Sequence, residues 1–178
     1  ISTAVEIAQR LELHQEEYEL THLLARTYLF AQLDRNTQHE LLIAADSLVA
    51  LYGIEKDRSL DLYHVEMLVN DQADYSSARE IIIDNFEYYY GDHDLRMAYI
   101  NGIRGMNDFL LDPLENENDF NIVNTWIEQL ESSIEDEVFL LLLKLTKWDI
   151  RLKSLSSDKD YFSGLTIIPD YMEIEETI

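Results

Sequence analysis

Apolar residues return at steps of three and four along nearly the whole chain, and polar turn chemistry separates each run from the next. The clearest case lies between Tyr75 and Leu111. Tyr75, Ala78, Ile82, Phe86 and Tyr89 form one stripe, and Leu95, Ala98, Gly102, Met106 and Leu110 form a second, with Gly91-Asp92 between them. Residues at that spacing share one side of an α-helix. The pattern predicts a helix from about Tyr75 to Tyr90, a break at Gly91, and a second helix from 94 to 111 folded back antiparallel, stripe to stripe.

The rest of the chain reads as the same device repeated. Helices are predicted over residues 2–13, with Ser2 as N-cap, and over 16–34 through Leu20, Leu23, Leu24, Thr27, Tyr28 and Ala31. Asp34-Arg35-Asn36 is turn chemistry. A helix over 37–52 follows, with Asn36 or Thr37 as its cap and Gly53 where a C′ glycine belongs. Ile54 to Arg58 reads as a short charged connector. Ser59 caps a helix to about Val69, with Asp61 in its first turn. Residues 112–119 are the most loop-like stretch, and Pro113 biases its predecessor away from helix. Asp119 caps a helix to about Ile134. A last strong helix runs from 135 to 155, and its run Val138 to Leu143 covers nearly the whole circumference, which predicts burial on several sides. We expect one helical-hairpin domain over 1–155, then a short C-terminal helix ending at Pro169 and an acidic tail, over 156–178. No strand pattern competes.

Composition narrows the function classes. There are no cysteines, which excludes disulfides and thiolate metal sites. The longest purely apolar run falls far short of the roughly 20 residues of a membrane span, and no secretory signal pattern opens the sequence. We therefore expect no membrane partner and an intracellular protein, cytoplasmic or nuclear. The chain begins with Ile1 rather than Met, from which we expect a fragment of a larger protein. Thirty-six acids against thirteen bases give a net charge of −23. Such a surface repels nucleic-acid phosphates and favours basic partners.

The candidate chemistry is sparse. Glu19-x-x-His22 and Asp61-x-x-His64 each place a carboxylate and an imidazole one turn apart, the spacing used by carboxylate-bridged di-metal bundles. His64, followed by His93-Asp94 and by Asp149, resembles in spacing the metal-binding pattern of HD-type phosphohydrolases, a helical family. In that family the His-Asp pair usually ends an apolar helix, whereas His93 follows Gly91 in a polar turn. Chance produces such pairs in a chain this rich in acids, and we assign no metal, no cofactor and no catalytic residue. Phosphate-binding glycine loops and nucleophile elbows are absent. Tyr88-Tyr89-Tyr90 reads as packing aromatics, since Glu87, Asp92 and Asp94 beside them would repel a nucleic acid. Gly102 and Gly105 inside a predicted helix either permit close packing or mark a kink.

The second helices of the hairpins begin near residues 37, 75, 119 and 158, an uneven period of about forty that suggests an α-solenoid. Tyr75-Ser76-Ser77-Ala78, with Ile82 four residues on, resembles the start of the second helix of a tetratricopeptide repeat. Glu66 and Asn85 stand where that family usually has small residues, and the loops exceed a strict 34-residue unit. The fold expected is all-α, in antiparallel hairpins of a tetratricopeptide-like solenoid, with an irregular helical bundle as the alternative. The resemblance implies a non-enzymatic scaffold or adaptor that binds a basic or helical segment of another protein. It implies contacts from Tyr63, Arg96, Tyr99, Asn101 and Arg104 on the groove-lining helices 60–69, 94–111 and 137–153. The alternatives are an acidic nucleic-acid mimic that blocks a DNA-binding protein and a metal-dependent helical hydrolase.

Overall fold

The structure, a computed structural model, describes residues 2–111 and 117–157, and these are helical almost throughout, with no strand among them. The expected short C-terminal helix and acidic tail, and most of the loop 112–119, lie outside the described residues. The chain divides into two compact units, one through Ala73 and one from Asp74. The boundary falls inside the stretch expected to form a single domain.

The first unit contains α1 (Ser2–Arg10), α2 (His14–Phe30) and α3 (Arg35–Tyr52), then a 3₁₀ turn (Arg58–Leu60), α4 (Asp61–Met67) and a π-helical turn (Leu68–Gln72). The α2–α3 hairpin is the most extensive pairing in it, and its core is built from Ala25, Leu42, Leu60 and Met67 with Leu29 and Leu41 packed alongside. Asp34 caps α3, its side chain accepting from the Thr37 backbone N–H at 3.0 Å, so the cap lies two or three residues before the expected one. Gly53 closes the helix in the left-handed conformation (φ 63°), as the sequence predicts.

The second unit contains α5 (Tyr75–Gly91), α6 (Leu95–Ala98), α7 (Gly105–Phe109), α8 (Glu117–Ser133) and α9 (Glu137–Ser157). A π-helical segment, Tyr99–Arg104, joins α6 to α7, so residues 95–109 form one rod with a widened middle. Asp74 caps α5 through the Ser77 N–H and Asp94 caps α6 through the Met97 N–H. Part of the acidic excess thus serves helix N-termini, where a carboxylate both satisfies free N–H groups and complements the dipole. Gly91 was the expected breaker, yet α5 includes it. His93, at φ 60°, makes the left-handed turn instead.

The rod packs on α5 along one side and approaches α8 along another. A close approach is made at Gly102. A Cβ built there would stand 2.6 Å from the Phe86 Cβ and 2.6 Å from its ring. Phe86 is buried and stacks on Trp126 of α8 at 4.2 Å between ring centroids. A larger residue at 102 would have to drive the rod off this stack. Overpacking of this kind costs about 1–3 kcal/mol, more than the roughly 1 kcal/mol that Ala gains over Gly in a helix. Gly102→Ala is therefore expected to lower the urea midpoint followed by Trp fluorescence, and an unchanged or raised midpoint would contradict this account of the glycine.

Candidate functional site

The second unit carries an apolar groove of about 510 Å³ between the rod and α9. From the rod come Arg96, Ile100 and Arg104, four residues apart and all exposed. The facing wall is the open side of α9, Val138, Leu142 and Leu145, with side chains 78%, 42% and 41% exposed. The floor is Tyr99 and Phe139, ring edge to ring face with centroids 5.5 Å apart. The Thr146 hydroxyl donates to the Leu142 carbonyl at 3.0 Å, which leaves its oxygen to accept from the Tyr99 hydroxyl at 2.8 Å. With its polar atoms paired, this floor offers apolar surface and shape.

Charge sits at the rim. Arg96 reaches Asp136 at 3.3 Å and Arg104 reaches Asp108 at 3.4 Å, both in exposed pairs that add little stability. Asp136 also accepts from the Phe139 and Val138 N–H groups at the start of α9. Those bonds, the Phe139 one foremost, hold its carboxyl below the ordinary aspartate value, helped by Arg96. The groove is thus a hydrophobic trough with an arginine at each end of its rod wall, in a chain that is otherwise strongly acidic.

Of the five residues singled out from sequence, Arg96, Tyr99 and Arg104 line this groove. Two corrections follow. Tyr99 and Asn101 were expected as exposed contacts, but they are only 5% and 4% exposed, and the Asn101 amide is spent on the Met97 carbonyl at 3.1 Å. The rod is enclosed on more than one side, which a single amphipathic stripe does not reveal. Tyr63 lies in the first unit, exposed, on a smaller depression of about 290 Å³ with Tyr28, Leu29, Gln32, Leu33 and Arg35. The expectation that residues 138–143 are buried on several sides also changes, since one side of α9 has no covering element among the described residues.

The first unit holds a different cluster. Lys56, in the connector after α3, places its ammonium 3.0 Å from both Asp46 of α3 and Asp61 of α4. His64 Nδ1 stands 3.5 Å from the other oxygen of Asp46, Arg58 stands 3.8 Å from Asp61, and the His39 ring meets the His64 ring edge-on at 5.3 Å. Burial opposes the charge on Lys56, yet Asp61 and Asp46 together hold its pKa above the ordinary lysine value. Burial pushes Asp61 up despite Lys56. Asp46, also desolvated, is nonetheless held down by its bonds to His64 and Lys56. Burial, with His64 nearby, depresses His39.

This cluster is a clamp. It fixes the connector 53–60 to α3 and α4, aided by Tyr18, whose hydroxyl accepts from the Asp57 N–H. His22 and His64, the histidines of the two carboxylate-imidazole motifs, are buried rather than solvent-facing. They meet Asp57 and Asp46, not their sequence partners Glu19 and Asp61. His93 is exposed in the second unit. Among the described residues no group of three His, Asp or Glu side chains is placed to hold a metal ion, and no helix is long and apolar enough to cross a membrane. Comparison with family models, curated proteins and solved structures finds no match to this chain.

Lys56 and the open wall of α9 were not identified from sequence. The first looks like any lysine in a charged link, and the second like core. For Lys56→Met, loss of the ammonium leaves the buried Asp61 carboxylate with only the longer approach of Arg58, and breaking a buried pair costs about 3–5 kcal/mol. The Asp61 pKa, already raised, would rise further. A carboxyl raised above its unfolded value contributes stability below the unfolded pKa and loses it as pH rises through the folded one. The deficit of Lys56→Met, measured by urea denaturation, is therefore expected to be larger at pH 8 than at pH 5, and a deficit independent of pH would contradict the clamp.

Proposed function

We propose that this chain is a non-enzymatic interaction module, a scaffold or adaptor, whose groove in the second unit receives a helical segment of another protein. The observation that carries the reading is the open apolar wall of α9 facing Arg96, Ile100 and Arg104. Contiguous exposed apolar surface with a polar rim marks interaction sites more often than it occurs by chance. A trough between two helices suits an amphipathic helix laid in with its apolar face down. The helical reading of the partner gains support over the basic one at this groove, because the rim carries arginines. A basic segment would be drawn to the acidic surface elsewhere, and steering by the net charge of −23 would make that encounter sensitive to salt.

The reading extends to architecture and location. The α2–α3 and α8–α9 hairpins, and α5 folded against the rod, support a helical-hairpin protein of tetratricopeptide-like type. The π-helical segments and the 3₁₀ turn make its units irregular. An intracellular protein partner is the expectation that goes with it.

The test is capture from lysate with the intact chain and with Leu142→Asp/Leu145→Asp, at low and high salt, read by mass spectrometry. Both side chains are exposed, so the fold is expected to survive. One protein or one complex retained by the intact chain, and reduced at least tenfold by the double substitution, is the expected outcome. Equal retention by both proteins would remove the groove from the interaction, and retention of DNA-binding proteins that added DNA displaces would favour the nucleic-acid mimic.

A further inference from the structure

The open wall of the groove continues beyond it. Along α9 the exposed Val138, Leu142 and Leu145, with the half-buried Leu141 and Trp148 beside them, form an apolar stripe that the exposed Asp149 interrupts before Leu152. Lys144 and Arg151 follow one edge of that stripe, and Lys147 stands further round the helix, against Glu131 of α8 at 3.7 Å. With Arg96 and Arg104 across the groove, and Asp136, Glu137 and Asp149 among them, bases and acids come near to balance along this one surface. The chain as a whole carries thirty-six acids against thirteen bases.

We infer that the occupant of this surface is the segment 158–178 of the same chain, which covers the α9 stripe and the groove until a partner displaces it. The inference rests on the reading of the groove as a docking surface. The segment brings apolar residues in quantity to an apolar surface, among them Phe162, Leu165, Ile167, Ile168, Tyr171 and Ile174, and its six acids against the single Lys159 meet less repulsion along this near-balanced face than on the strongly acidic remainder. Tethering also favours it. A segment joined to the C-terminal end of α9 meets the stripe at an effective concentration that a free partner reaches only at millimolar levels.

The geometry permits the return. From Ser157 back to Leu141 along α9 is about 24 Å at roughly 1.5 Å per residue. The residues from 158 to Leu165 span up to about 26 Å when extended, at roughly 3.3 Å per residue. Leu165 and the apolar residues after it can therefore reach the groove, while Tyr161 and Phe162 pass Leu152 and Trp148.

The chain has no cysteine, so one introduced thiol reports the state of the groove. Leu142→Cys is placed in the wall, Glu128→Cys on the exposed side of α8 as reference, and both are labelled in the full chain with a soluble thiol reagent. Labelling of Leu142→Cys at least tenfold slower than the reference, independent of protein concentration, is the expected result. Adding Leu165→Asp/Ile168→Asp should bring the rate up to the reference. A synthetic peptide of residues 158–178, supplied to that variant, should slow it again, which shows that the substituted chain remains folded. Three results would overturn the inference: equal rates at the outset, protection that survives the substitutions, and protection that grows with protein concentration, which would make a second copy the occupant. None of these touches partner capture by the groove, which the Leu142→Asp/Leu145→Asp comparison reads separately.

Discussion

The second unit depends on one backbone approach. Gly102 brings the rod close enough to α5 that a single methyl group would collide with Phe86. Phe86 in turn is held between the Trp126 and Tyr90 rings. With the rod at that depth, Tyr99 reaches the α9 side and bonds Thr146, Asn107 donates to Asp149 at 2.8 Å, and Lys153 reaches the Asn107 carbonyl at 2.8 Å. These contacts set the separation of the rod from α9, and the groove is the space left over. The π-helical turn belongs to the same solution, since a widened turn lets a helix present more than one face to neighbours on different sides.

The first unit solves a different problem, how to close a polar connector onto a small core. The link 53–60 contains little that is apolar beyond Ile54 and Leu60. The link is secured instead by an ammonium between two carboxylates, with histidines completing the surroundings. Buried charge is costly to assemble and costlier to break, so such a clamp gives geometric definition more than net stability.

The same physics accounts for both kinds of surprise among the candidate residues. Tyr99 and Asn101 look exposed on a helical wheel because the wheel allots one buried side per helix, whereas the rod is enclosed on several. Val138 and Leu142 look buried because an apolar run usually is, yet α9 has fewer neighbours among the described residues than its composition invites. An excess of apolar surface on one helix and a deficit of polar surface on another are statements about neighbours, which no local pattern contains.

By itself the sequence determined the all-helical class, the approximate limits of several helices, and the left-handed close at Gly53. These follow from backbone periodicity and turn chemistry, which act over a few residues. It also gave Arg96 and Arg104 as exposed, since long charged side chains on a helix rarely do otherwise. Only the tertiary structure divided the chain at Ala73, made Lys56 a clamp, paired His64 with Asp46 rather than Asp61, and opened α9 on one side. Each of those is a contact, or a missing contact, between residues distant in sequence. Spacing along the chain determines which face a side chain occupies, and only packing determines what that face meets.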